Sequence, residues 1–208
     1  MKEEIMKYIE DNFPNLSGEV HLRFELGEPY KNGTDERIEQ VVNRVTTLFE
    51  EVFQSDDYIH IFIKDWNETE DIMFGNTTPE YLYELFMEQQ IIEERLFELD
   101  EQEDKVTGET FEIKHEYKVK FVSTQVKATP YEKILRGIGN YEQGREPGIG
   151  QTVYFICTEK GIIFHMYDDR GCIIISNKVE PLAPLYHEYN DWLVDYWRDD
   201  FDRIFKTN

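Results

Sequence analysis

A chain of 208 residues with 44 acidic and 22 basic side chains carries a formal charge of −22. That charge repels phosphate backbones, and no stretch gathers enough Lys or Arg to reverse it, so no direct binding of nucleic acid is expected. Fourteen Phe, 13 Tyr and 3 Trp in a 40% apolar chain exclude disorder, and no apolar run approaches the ~18 residues of a membrane span.

The first residues, "MKEEIMKYIEDNF", read as an amphipathic helix over 3–12 rather than a secretory signal, stopped near Pro14 and Asn15. "GEVHLRFEL" alternates, with Val20, Leu22, Phe24 and Leu26 on one side and His21, Arg23 and Glu25 on the other, as in a half-buried strand. After the loop "GEPYKNG" comes the clearest helix, "TDERIEQVVNRVTTLFEEVF". Thr34 is its expected N-cap, and Ile38, Val41, Val42, Val45, Leu48, Phe49, Val52 and Phe53 recur at helical spacing. A stripe this continuous calls for a sheet beneath it.

"YIHIFIKDW" reads as a strand, and "PEYLYELFMEQQ" as a helix opened by Thr78 and Pro79. Residues 91–126 are expected to form two or three strands around a charged loop near "EQEDKVTG". "TPYEKILRGIGNYEQG" follows as a helix with Thr129 as cap, weakened by Gly137 and Gly139. Three strands come next, at about 152–158, 162–167 and 172–176, joined by the turns "TEKG" and "DDRG". The tail, "PLAPLYHEYNDWLVDYWRDDFDRIF", reads as helical, with a largely aromatic stripe through Tyr186, Tyr189, Trp192, Leu193, Tyr196, Trp197, Phe201 and Phe205. No linker forces a boundary. The expected architecture is a single α+β domain over 1–208, with an antiparallel C-terminal β-meander packed by several helices.

The turn Asp168, Asp169, Arg170 and Gly171 is the sharpest candidate site. Asp suits the early positions of a turn, and Gly171 is expected to supply a positive φ. Turn chemistry does not require two Asp beside an Arg, so a partner or ligand contact stays open, as does catalysis. Paired carboxylates alone are a weak catalytic signal, since nothing fixes their separation. Cys157 and Cys172 are expected to be buried thiols rather than a bridge, in keeping with a cytoplasmic protein. His165, the nearest candidate base for Cys172, has no settled facing. The five histidines are scattered without metal-ligand spacing, so no metal or other cofactor is expected. The Glu-x-Lys triplets at 112–114 and 116–118 have the form of some nuclease sites but lack a supporting Asp. "GREPGIG" fails the context of a phosphate loop, because a strand follows it.

Acidic residues concentrate at 84–116, with 12 Asp or Glu against 3 Lys or Arg, and at 180–202, with 7 against 1. In the second segment Asp195, Asp199, Asp200 and Asp202 flank the aromatic stripe, a combination suited to docking on a basic protein surface.

The stretch 164–205 resembles the bacterial family known as domain of unknown function 3885. The resemblance is carried by Tyr167, Asp168, Asp169, Arg170 and Gly171, and then by Leu185, Tyr186, Tyr189, Asn190, Asp191, Trp192, Asp195 and Tyr196. "LRFELG" and "NRVTTLFE" suggest that it runs through much of the chain, while Trp197 ahead of Arg198 departs from the pattern. The resemblance implies a bacterial, cytoplasmic protein with no assigned catalytic residue. Because the pattern joins the turn to the "YNDW" segment, mutual packing is expected, with Arg170 paired to Asp191 or Asp195.

The favoured expectation is therefore a non-catalytic acidic interaction module, an immunity- or antitoxin-like protein masking a basic partner being one form of it. The alternatives are a small hydrolase or transferase using Asp168, Asp169 and Arg170, and a small-molecule sensor with its pocket between sheet and tail.

Overall fold

A computed structural model describes residues 2–65, 77–87, 89, 91–103 and 110–206. Among these residues seven strands form one antiparallel sheet: β1 (Val20–Glu25), β2 (Tyr58–Asp65), β3 (Ile92–Glu103), β4 (Thr110–Gln125), β5 (Thr152–Cys157), β6 (Ile162–Asp168) and β7 (Gly171–Ser176). Their order is β1-β7-β6-β5-β2-β4-β3. The C-terminal meander β5–β7 thus sits inside the sheet, and the N-terminal strand closes one side of it. The charged loop expected near 101–108 falls largely at 104–109, outside the described residues, as do the side chains of 111–117 within the Glu-x-Lys region.

Strand alternation divides the core between two faces. Leu22, Ile61, Phe155, Phe164, Met166, Cys172 and Ile174 look toward one layer of helices. That layer holds α2 (Asp35–Val52), α4 (Tyr131–Tyr141) and α5 (Ala183–Glu188), with Val41, Val45, Leu48 and Phe49 of α2 buried against the sheet. On the opposite face Phe62, Val119, Phe121, Ile156, Ile163 and Ile175 meet Ile5, Ile9 and Phe13, contributed by α1 (Lys2–Asn12) and its exit. The product is a single α+β domain. Among the described residues no helix is long and apolar enough to cross a membrane.

Local sequence explains the helix limits. Thr34 Oγ1 accepts from the Arg37 amide, and Asp35 and Glu36 lie in the first turn of α2, where the helix dipole favours negative charge. Two expected caps do other work. Thr129 Oγ1 donates to the Gln125 carbonyl after a single 3₁₀ turn at Val126–Ala128, so α4 starts without a side-chain cap. Thr78 Oγ1 accepts from the Gly148 amide, and the helix expected beyond it shrinks to α3, Tyr81–Glu84. Gly137 and Gly139 do not prevent α4. Gly137 lets it approach Ile149 more closely than a Cβ would allow, and a Cβ on Gly139 would press against Val41.

The tail is not one helix. After α5 come 3₁₀ turns at Asn190–Trp192 and Asp195–Trp197, then α6 (Arg198–Phe205). Between the two turns Leu193 and Val194 are extended, with ψ of 140° and 130°. There Leu193 bridges Phe24 and the Val194 amide donates to the Arg23 carbonyl at 3.1 Å. Closing the exposed edge of β1 is the physical reason the stripe breaks, because paired edge groups cannot be supplied by a helix.

Candidate functional site

The "DDRG" turn joins β6 to β7 and lies beneath the N-terminal turn of α2 and the C-terminal end of α4. Its carboxylates are inside the protein, Asp168 being 3% and Asp169 2% exposed. Asp168 faces back onto its own turn. Its Oδ1 accepts from the Arg170 amide and its Oδ2 from Arg170 Nε, both at 2.7 Å, and Arg170 Nη2 closes the fork on Oδ2. Arg170 also lies 3.7 Å from Glu142 at the end of α4. The expected partners Asp191 and Asp195 are not the ones it takes, because the Asp168 fork and Glu142 hold it on the helix side of the hairpin.

Asp169 turns to a residue that sequence reasoning missed. Arg37 Nε donates to Asp169 Oδ2 at 2.5 Å, and Arg37 Nη1 donates to the Tyr30 carbonyl at 2.7 Å. Both side chains are buried, at 5% and 2% exposure. A Cβ on Gly27 would overlap the guanidinium, so the loop after β1 must be bare there. The signal was present in the sequence: Arg37, Val41, Val45, Leu48 and Val52 share the buried stripe of α2. An arginine on an apolar stripe needs a buried anion.

Gly171 does not have the positive φ expected of it. Its hydrogen is required for another reason. A Cβ at Gly171 would collide with Tyr167 Oη and with the Phe24 carbonyl oxygen of β1, so the glycine lets two strands and a phenol share one place. The Leu26 amide donates to the Arg170 carbonyl at 2.9 Å, tying the turn to the end of β1.

The turn and the tail are linked through Arg23. Its Nε donates to Tyr167 Oη at 2.9 Å, and its guanidinium lies 4.9 Å from the Tyr167 ring and 5.3 Å from that of Trp197. The remaining tail candidates divide in two. Asn190 is structural: it donates to the Tyr186 carbonyl, and its carbonyl groups accept from Arg198, which also reaches the Leu193 carbonyl. Tyr189 and Trp192 lean on α2, through Glu51 and through Arg44 at 5.1 Å from the indole. Asp191, Asp195 and Tyr196 face outward, with Tyr196 92% exposed and the Asp195 side chain 98% exposed.

Glu142 is pushed above the usual carboxylate range by burial and then by the nearby Asp168. Arg170 is held more firmly protonated by its fork with Asp168. Asp168 has both oxygens occupied, and Asp169 meets a guanidinium.

Cys157 and Cys172 are buried free thiols. Burial pushes Cys172 well above its usual range. Cys172 pairs across the hairpin with Met166, whereas His165 pairs with Ile173, so thiol and imidazole occupy opposite faces of the sheet. His165 Nδ1 is instead 2.9 Å from the Val153 carbonyl, and His60 Nδ1 is 2.8 Å from Ser123 Oγ. Among the described residues no group of three His, Cys, Asp or Glu side chains is disposed to hold a metal.

A family profile, domain of unknown function 3885, matches residues 5–197 and so takes in both the hairpin turn and the Asn190 segment. The chain belongs to this family. Its match stops at Trp197, just short of α6. A similar protein is the uncharacterized protein YnaE of Bacillus subtilis (strain 168), 34% identical over 70 residues. The match spans 31% of this chain and 33% of YnaE, about a third of each. No solved structure matches the chain.

Proposed function

We propose that this member of the family is a non-catalytic, acidic protein-interaction module whose binding face is the tail surface around Tyr196. The observation that carries this reading is a large aromatic side chain 92% exposed between carboxylates. Asp191, Asp195, Asp199 and Asp200, its neighbours in sequence, are all exposed. Leaving a tyrosine in water costs apolar burial that the chain could otherwise recover, and tyrosine is enriched among interface anchors. Carboxylates at the rim steer a basic partner and raise its association rate. An immunity- or antitoxin-like protein that covers a basic surface is the concrete form. A reducing, cytoplasmic setting fits the two free thiols.

The burial of Asp168 and Asp169 counts against a hydrolase or transferase built on the turn, and moves the expected contact from the hairpin tip to the tail. The test is affinity capture from bacterial lysate with the intact chain and with a Tyr196→Ala/Asp195→Asn variant of equal melting temperature. A basic protein retained in stoichiometric amount by the wild type, released by salt and lost by the variant supports the proposal. Equal retention by both forms rejects Tyr196 as the anchor.

A further inference from the structure

The two edges of the sheet are treated differently. At β1 the chain covers its own edge with Leu193 and Val194. At the other side β3 is the last strand, and among the described residues none pairs with its outer edge. That edge is long. β3 runs 12 residues, from Ile92 to Glu103, in unbroken register with β4. β2 reaches β4 only as far as the Asp65–Lys118 pair, so from Leu96–Tyr117 to Glu103–Thr110 the sheet is a two-stranded ribbon among the described residues. Two strands alone are marginal in water, and a third adds backbone hydrogen bonds along the whole edge.

Edges are ordinarily guarded by short strands, charged side chains (lysine above all), proline or bulges. β3 has no Pro, no Lys and no register shift. Its sequence, "IEERLFELDEQE", instead carries Glu93, Glu94, Glu98, Asp100, Glu101 and Glu103 against Arg95. Pairing with a second copy of itself would set carboxylates beside carboxylates, which disfavours self-association. The same charges favour a strand of opposite sign.

We propose that the outer edge of β3 is a strand-addition site for an extended, Lys- or Arg-rich segment of a partner protein. Backbone hydrogen bonds give the affinity in this mode, and the side-chain charges select the partner. The site is separate from the Tyr196 surface and stands or falls independently of it.

The test titrates the full chain with three peptides: one of alternating Lys and Val, a copy N-methylated at every amide, and a copy with Glu in place of Lys. Hydrogen exchange is followed on residues 92–103. The expected result is that the Lys peptide binds and slows exchange along β3. The methylated copy, with its charge intact but its N–H donors gone, should bind at least about tenfold more weakly, and the Glu copy should not bind. Tyr196→Ala should bind the Lys peptide as the wild type does. Equal binding of the methylated copy, protection confined to 189–200, loss of binding in Tyr196→Ala, or no binding of the Lys peptide would each overturn the proposal.

Discussion

Replacing Asp169 by Leu leaves the Arg37 guanidinium buried beside an apolar side chain, with the Tyr30 carbonyl as its remaining acceptor. Replacing Arg37 by Met strands the Asp169 carboxylate in the same way. With both side chains at 5% exposure or less, neither charge can be rehydrated without opening the turn. Breaking a buried pair from one side costs about 3–5 kcal/mol. That is a large share of the ~5–15 kcal/mol that holds a typical domain folded. For a chain of this size it lowers the melting temperature by roughly 6–20 °C. The double variant Arg37→Met/Asp169→Leu removes both charges and should recover most of the loss, since an apolar pair can replace a buried ionic one at little cost. Urea denaturation followed by tryptophan fluorescence measures all four forms. Single variants within about 0.5 kcal/mol of the wild type, or costs that simply add, would refute the buried-pair account.

Gly171→Ala should destabilise the fold by about 1–3 kcal/mol, because its methyl meets both Tyr167 Oη and the Phe24 carbonyl. Adding Tyr167→Phe should relieve part of that cost in the same denaturation series, since the backbone clash stays. Glu142 titrates above its unfolded value, so the folded state binds the extra proton and stability falls as pH rises from the ordinary carboxylate value through the raised one. Glu142→Gln should therefore flatten that decline and be the more stable form at neutral pH; a steeper decline in the variant would reverse the sign of the argument. Cys157 and Cys172 are buried, and burial raises both thiols, so a thiol reagent at pH 8 should label the chain only as it unfolds. Rapid labelling of the folded protein would show that the meander opens locally.

Periodicity carried most of the fold. The α2 stripe, the alternation in β1 and the two glycine-ended turns of the meander are each specified within about twenty residues, and the structure follows them. What failed were features set by distant contacts. The tail reads as one helix because nothing local opposes it, yet Leu193 and Val194 are drawn straight by the unpaired edge of β1. Thr129 and Thr78 carry the right chemistry for caps but are taken by the Gln125 carbonyl and the Gly148 amide.

The turn was legible as a cluster but not as an interior one. Two Asp beside an Arg look like a solvated tip until Arg37, 132 positions away from Asp169, is placed against them. Gly171 was marked by the turn it ends, and the strand that crowds it lies far off in sequence. The family motif thus combines two kinds of residue. Asn190, held by Arg198 just beyond the matched segment, locks the tail, and Tyr196 stays in water.

The measurement that bears most directly on this division is titration of the captured partner against two variants of matched stability. One is Arg37→Met/Asp169→Leu, which alters the buried turn, and the other is Tyr196→Ala/Asp195→Asn, which alters the exposed face. The account predicts that the first keeps wild-type affinity and the second loses at least about tenfold. Retained binding in the second with loss in the first would place function in the turn and contradict it.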